Sequence, residues 1–177
     1  MPRISEETLK TNIRDEYFKE CNYIPDFHKI DFVLEHNYEP TIWGEAKKDI
    51  TPIDIMFSQL IFTIYKPQKE YETPKFLAAF DPEKIIFIPF SAFENLFNEL
   101  KNADFNWNVR PSDTTTKEFK KISAIIKDAI ERKNILPGQE NIYDFKQLVF
   151  YFNKDKNELE DWIANNILTV DTDNFKG

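Results

Sequence analysis

Glycine is scarce, with three residues in a chain of 177. That argues against an all-β protein built on many tight turns. It also leaves no P-loop and no dinucleotide-binding fingerprint, both of which need glycine at fixed offsets. The one cysteine, Cys21, excludes a disulfide framework and a four-cysteine iron–sulfur site, and it reads as a small buried residue. The two histidines, His28 and His36, stand in loop-like sequence with no third histidine, so a zinc site on them is not expected, and His36 is expected at the surface. No serine or cysteine has a partnered histidine in a recognisable context. No apolar run reaches the length of a membrane span, and the opening MPRISEE lacks the pattern of a signal peptide. The expected location is cytoplasmic.

Apolar residues make up 41% of the chain and phenylalanine alone counts 17, enough for one sizeable core. The net charge is −8, which disfavours binding of nucleic acid by the whole surface but leaves room for a local basic strip.

The stretch from Lys29 to Lys66 organises the rest. Ile30–Leu34 is an apolar run interrupted at Asp31. Thr41–Ala46 is a second run, interrupted at Glu45, with Lys47 following. His36, Asn37, Glu39 and Pro40 form a polar turn cluster between them, so the segment reads as strand, hairpin, strand. Gly44, inside the second strand, marks a bulge or a close backbone approach. Pairing would bring Asp31 beside the Glu45-Ala46-Lys47 tripeptide. Two carboxylates converging on one spot are costly unless a cation compensates them. Acid-x-Lys occurs five times, at Glu45, Glu99, Glu118, Glu131 and Asp144, but only Glu45 follows a strand-like run with an acid-bearing strand upstream. Asp26, after Pro25, is a rival first carboxylate, but Phe-His-Lys after it does not continue as a strand. The next segment has Thr51 as N-cap, Pro52 in the first turn and Asp54, and predicts a helix ending before Pro67. It is apolar on most sides, as a helix buried on a sheet would be, and it carries Gln59.

Asp31 opening one strand, Glu45-x-Lys47 on the next and a following helix with Gln59 resemble the PD-(D/E)xK nuclease superfamily, the restriction-endonuclease-like fold. The family name has proline where this chain has Ile30. The resemblance covers roughly residues 5–90. It implies an α/β fold, a mixed sheet flanked by helices, and a Mg²⁺-dependent (or Mn²⁺-dependent) endonuclease that hydrolyses DNA phosphodiester bonds. Asp31 and Glu45, with the Ala46 carbonyl, would bind the metal, and Lys47 would stabilise developing charge or position water. A first-helix glutamate joins the metal site in that family, which points to Glu16; its other reading is a solvated helix residue. Gln59 would help orient the site, or else lies on the helix's thin exposed strip. Restriction–modification or related DNA defence is the implied setting, with a methyltransferase or helicase as fused or separate partner and a homodimer as the assembly.

Elsewhere, Ser5 with Glu6 and Glu7 opens a helix over 6–21. Lys75–Phe80 and Lys84–Phe90 read as strands around Asp81-Pro82-Glu83, and Ser91-x-x-Glu94 as a capping box. Thr115-x-x-Glu118 caps a helix to about Lys133, and 142–152 and 156–168 read as two more. The chain therefore divides into an α/β core, 1–101, and an all-helical extension, 102–177. Segment 117–133 has six basic residues against three acids, a net of +3 in an acidic chain. Lys117, Lys120 and Lys121 there, with Lys48 and Arg110, are the expected DNA contacts; an ordinary solvated helix face is the other reading of the segment and the one that frequency alone favours. Trp107, Tyr38 and Tyr71 are either core or rim residues or exposed rings for base stacking. A non-catalytic binding protein, as a decayed nuclease fold or an acidic DNA mimic, is the alternative that the acid excess favours.

Overall fold

The computed structural model describes residues 4–101, 104–132 and 148–168. Its centre is a six-stranded mixed sheet whose strands lie in chain order: β1 (Asn22–Tyr23), β2 (Phe32–His36), β3 (Glu39–Ala46), β4 (Phe76–Phe80), β5 (Lys84–Pro89) and β6 (Val149–Tyr151). Only β3 and β4 are parallel, joined by the crossover helix α2 (Ile53–Glu70). Every other pair is antiparallel. The fold is α/β, with helices on both faces of the sheet.

The period of two along each strand divides the core. Val33, Trp43, Leu77, Ala79, Ile86 and Ile88 face α2, α3 (Ser91–Glu99) and α4 (Lys117–Arg132). Phe32, Leu34, Ile42, Ala46, Phe80 and Phe87 face α1 (Glu6–Tyr17) and α5 (Lys156–Asn166). The central strands are buried on both sides, which explains the continuous apolar run of β5.

The β2–β3 hairpin closes on two residues, Asn37 and Tyr38, at φ 52° and 66°. Positive φ at both central positions is what a type I′ turn needs, because its twist matches that of the strands. Asn37 suits that conformation. Tyr38 does not, and it is 93% exposed. His36 is not at the surface as expected: it is half-buried, and its Nδ1 lies 3.3 Å from the Glu20 carbonyl oxygen.

Gly44 makes the close approach expected of it, but to its own sheet. A Cβ there would lie 3.0 Å from the Ala78 carbonyl oxygen and 3.4 Å from Phe32 Cβ. The register irregularity falls elsewhere, between Leu34 and Glu35. Gly44→Ala must push β3 away from β4. The expected cost is about 1–3 kcal/mol, at roughly 2–4 °C of melting temperature per kcal/mol for a chain of this size. An unchanged melting temperature would mean that the two strands separate freely here.

Several boundaries differ from the sequence expectation. Helix α1 ends at Tyr17, although Ser5 caps it as expected, accepting from Thr8 N at 3.0 Å. Helix α2 does not stop before Pro67 but runs through it. Pro67 lacks the N–H that would bond to the Thr63 carbonyl, yet its ring is buried and its own carbonyl accepts from Tyr71 N at 2.9 Å, so the last turn holds. The N-cap positions of α2 and α3 are Pro52 and Phe90, with no side-chain cap bond, rather than Thr51 and Ser91. At α4 the capping hydroxyl belongs to Thr116, which accepts from Phe119 N.

The largest correction is β6. Residues 149–151 are strand, not helix, so the part beyond residue 101 is not all-helical; positions 142–147 lie outside the described residues. Phe145, Leu148, Val149 and Phe152 do fit a helical period, but β5 offers an unpaired edge. Val149, Phe150 and Tyr151 pair with Ile86, Ile85 and Lys84, and Phe150 packs between Phe87 and Trp162. Tertiary pairing overrides the local pattern. No helix among the described residues is long and apolar enough to cross a membrane.

Candidate active site

The hairpin brings Asp31 and Glu45 together. Asp31 immediately precedes β2 and Glu45 lies near the end of β3, both in phase with Val33 and Trp43 on the face that α2 covers. Asp31 Oδ2 accepts from Ala46 N at 3.2 Å, which holds the carboxylate against β3. Glu45 is 2% exposed. Burial, and then the Asp31 charge beside it, push the Glu45 carboxyl well above the usual carboxylate range, while Lys47 pulls in the opposite direction. A side-chain hydrogen bond between the two carboxyls adds to the rise, as it would with the proton on Glu45.

Lys47 completes the group. Its Nζ lies 3.5 Å from Glu45 Oε1 and donates to Gln59 Oε1 at 2.5 Å. Gln59 is thus a half-buried residue of α2 that orients the lysine, not merely part of an exposed strip. The backbone that carries Lys47 is pinned at both ends. Lys47 N donates to the Phe80 carbonyl oxygen at 2.9 Å, and Thr51 N donates to Asp81 Oδ2 at 3.0 Å. Asp81 is fully buried and also accepts from Glu83 N, Lys84 N and Lys84 Nζ, the last at 2.6 Å. A buried carboxylate with that many donors is fully satisfied. It clamps the β4–β5 turn to the loop leading from Lys47 into α2.

The first-helix acid at this site is Glu6, not Glu16. Burial first and Asp31 second raise the Glu6 pKa, with Lys10 and Lys47 opposing. Lys10 Nζ reaches the Asp31 carbonyl oxygen at 3.3 Å and pairs with Glu7 at 2.6 Å, so α1 approaches the carboxylates by its first turn. Glu16 lies ten residues further along, about 15 Å at 1.5 Å per residue. It is half-exposed and hydrogen-bonded to Lys156, which lowers its pKa. That pair ties α1 to α5 and has no part in the site.

Among the other sequence candidates, Asp26 is exposed on a turn at φ 58°. Glu118, another acid of the acid-x-Lys set, is buried and accepts from Asn106 N. Asp144 lies outside the described residues. Lys48 is exposed directly after Lys47, and Arg110 is exposed on the loop before α4. Lys117, Lys120 and Lys121 are exposed on α4, which packs against α2 through Phe119, Ile122 and Ile126. Trp107 belongs to the core, stacked on Tyr65 at 4.6 Å with its Nε1 donating to the Leu100 carbonyl oxygen. The Cys21 thiol is pushed up to about 11 by burial, as an unreactive residue would be.

Among the described residues, no set of three or more His, Cys, Asp or Glu side chains is gathered to ligate one ion. The donor set at β2–β3 is therefore two carboxylates, with backbone oxygen and water left to complete a coordination shell. Mg²⁺ is held in that manner, through one or two carboxylates plus substrate phosphate. Two adjacent carboxylates, one of them buried and raised in pKa by the other's charge, are also a pair that a divalent cation would relieve. Comparisons with protein-family models, with curated proteins and with solved structures find no match to this chain.

Proposed function

We propose that this chain is a Mg²⁺-dependent nuclease of the PD-(D/E)xK type that hydrolyses DNA phosphodiester bonds. The observation that carries the reading is one cluster. Asp31 and Glu45 sit on the same face of a hairpin, with Lys47 3.5 Å from Glu45 and fixed by Gln59. Asp31, Glu45 and the Ala46 carbonyl would hold the ion, and Mn²⁺ suits the same donors. When bound, the ion would supply Lewis-acid polarisation of the phosphate and acidify water. The chain does the rest. Asp31 and Glu45 orient the reacting region through one rigid β2–β3 unit. Lys47 presents an ammonium where negative charge develops on the phosphate. Gln59 removes the lysine's rotational freedom, so that charge is already in place when the reaction begins. Restriction–modification is the setting that goes with this reading, with a methyltransferase or helicase partner, and cutting both strands of a duplex would call for a second copy.

Calorimetric titration with Mg²⁺, paired with a plasmid-cleavage assay, tests it. The wild-type chain should bind the ion and cleave. Asp31→Asn keeps an oxygen to accept from Ala46 N but loses the charge, so it should show neither binding heat nor cleavage. A wild-type chain with no Mg²⁺ heat and no cleavage would remove the nuclease. The non-catalytic binding protein favoured by the net charge of −8 would then take its place.

A further inference from the structure

Helix α2 has one accessible stripe. Ile55, Gln59, Thr63 and Lys66 are exposed or half-buried while most residues around them are buried. Spacings of three and four put them on one face. Gln59 holds Lys47, and the Thr63 hydroxyl donates to the Gln59 carbonyl oxygen. The stripe then enters a cleft of about 440 Å³ between the connector that ends at Asp31 and the loop ahead of α4. His28, Lys29, Lys66 and Arg110 line it, and no aspartate or glutamate does. That is unusual in a chain with 31 acids and 23 bases. Lys29, Lys66 and Arg110 are exposed, and no carboxylate among the described residues pairs with any of them. Asp113 feels the Arg110 charge, but it is engaged by the Thr115 amide and hydroxyl and does not line the cleft. A second depression shares Tyr65, Lys66, Trp107 and Asn108 with the first, and adds Lys69 and Lys101 against one acid, Glu70.

We infer that this cleft grips the backbone of the DNA strand that the carboxylates cut, through Lys29, Lys66 and Arg110. The inference rests on the nuclease reading for the identity of the strand. Lys66 stands seven residues past Gln59, about 10 Å along the helix. At 3.4 Å per step that is about three nucleotides from Lys47. The contact is to phosphate rather than to bases. Tyr65 and Trp107 are stacked on each other and Trp107 is buried, so neither offers a free ring. The charged groups of the lining are all cations, and cations hold a backbone and read no sequence. Lys117, Lys120 and Lys121 line neither depression, so the grip belongs to α2 and not to α4.

Binding to short duplexes of unrelated sequence, followed by fluorescence anisotropy over a range of salt in EDTA, tests this apart from catalysis. Lys66→Glu/Arg110→Glu should weaken every duplex at least tenfold. The neutral pair Lys66→Gln/Arg110→Gln, which adds no repulsion, should flatten the log–log salt slope by about two. A triple Lys117→Gln/Lys120→Gln/Lys121→Gln chain should keep the wild-type slope. An unchanged slope in the neutral pair overturns the inference, as does a wild-type chain that binds no duplex, or one from which single-stranded RNA displaces duplex at a tenth of the concentration. Salt-dependent binding through Lys66 and Arg110 without Mg²⁺-dependent cleavage would leave the cleft standing and remove the nuclease. Cleavage with an unchanged slope would do the reverse.

Discussion

Glu45→Gln should abolish cleavage and, without metal, make the protein more stable. The loss should reach roughly a thousandfold or more, since a bound ion supplies several kcal/mol of transition-state stabilisation and each 1.36 kcal/mol is tenfold in rate. The gain in stability comes from the same burial. The folded-state pKa of Glu45 is raised, by burial and by Asp31, above its value in the unfolded chain. The folded protein therefore holds the proton more tightly than the unfolded one. Stability is full below the ordinary carboxylate range and falls as pH rises through the raised Glu45 value. Glutamine has no proton to lose, so the variant should match wild type in acid and exceed it at neutral pH. Each kcal/mol gained would appear as about 2–4 °C of melting temperature. Saturating Mg²⁺ should stabilise wild type and not the variant, narrowing or reversing the order. Melting curves from pH 4 to 8, with and without Mg²⁺, read all of this. A variant that melts below wild type at neutral pH in EDTA would show that Glu45 is a structural carboxylate whose charge the fold needs.

Lys47→Ala should lower turnover by about 10²–10³, the usual loss on removing one group that stabilises developing negative charge. Mg²⁺ affinity should hold or tighten slightly, because an ammonium 3.5 Å from Glu45 competes with a cation for the same carboxylate. Falling turnover at constant metal affinity distinguishes a role in the transition state from a role in ligation. Lys47→Arg should not restore activity. The site fits a compact ammonium between Glu45 and Gln59, and a planar guanidinium spreads its charge and needs more width. Gln59→Ala should lose less than Lys47→Ala, since the lysine keeps its charge and loses only its anchor. Full turnover in Lys47→Ala would exclude the lysine from the chemistry and leave Asp31 and Glu45 as a general cation site.

The site was largely legible because it is local. Asp31, Glu45, Lys47 and Gln59 all lie within one hairpin and the helix after it; strand alternation puts Glu45 and Lys47 in phase, and the register shift between Leu34 and Glu35 is what sets Asp31 opposite Glu45. Glu6 was missed for a physical reason. An acid in the first turn of a helix is fully accounted for by the helix dipole, so nothing in the local pattern asked for more. Only the tertiary approach of α1 to Asp31, marked by Lys10 on the Asp31 carbonyl, shows it. Asp81 was hidden in the same way, since an acid before proline reads as an ordinary turn residue. Its bonds to Glu83 and Lys84 are those of such a turn; the one that makes it a clamp comes from Thr51 N, thirty residues away. Pro67 and β6 failed for the opposite reason. Local signals spoke clearly there, and burial of one ring and an open edge on β5 outweighed them.

The sheet is longest in its middle and short at its borders. β3 has eight residues, whereas β1 and β6 have two and three. An exposed border strand is a template on which another chain can add, and the hazard grows with the length of its unpaired ladder. Here each border strand itself carries only two or three peptide groups. In the apolar, uncharged run Ile85–Ile88, of the kind that stacks into fibres, Ile85 and Ile86 are paired on both sides, by β4 and β6. The stubby borders thus guard the folded protein against aggregation. That protection is lost in any state where β6 has let go of β5, and agitation or mild heating should produce aggregates whose protected core includes β5.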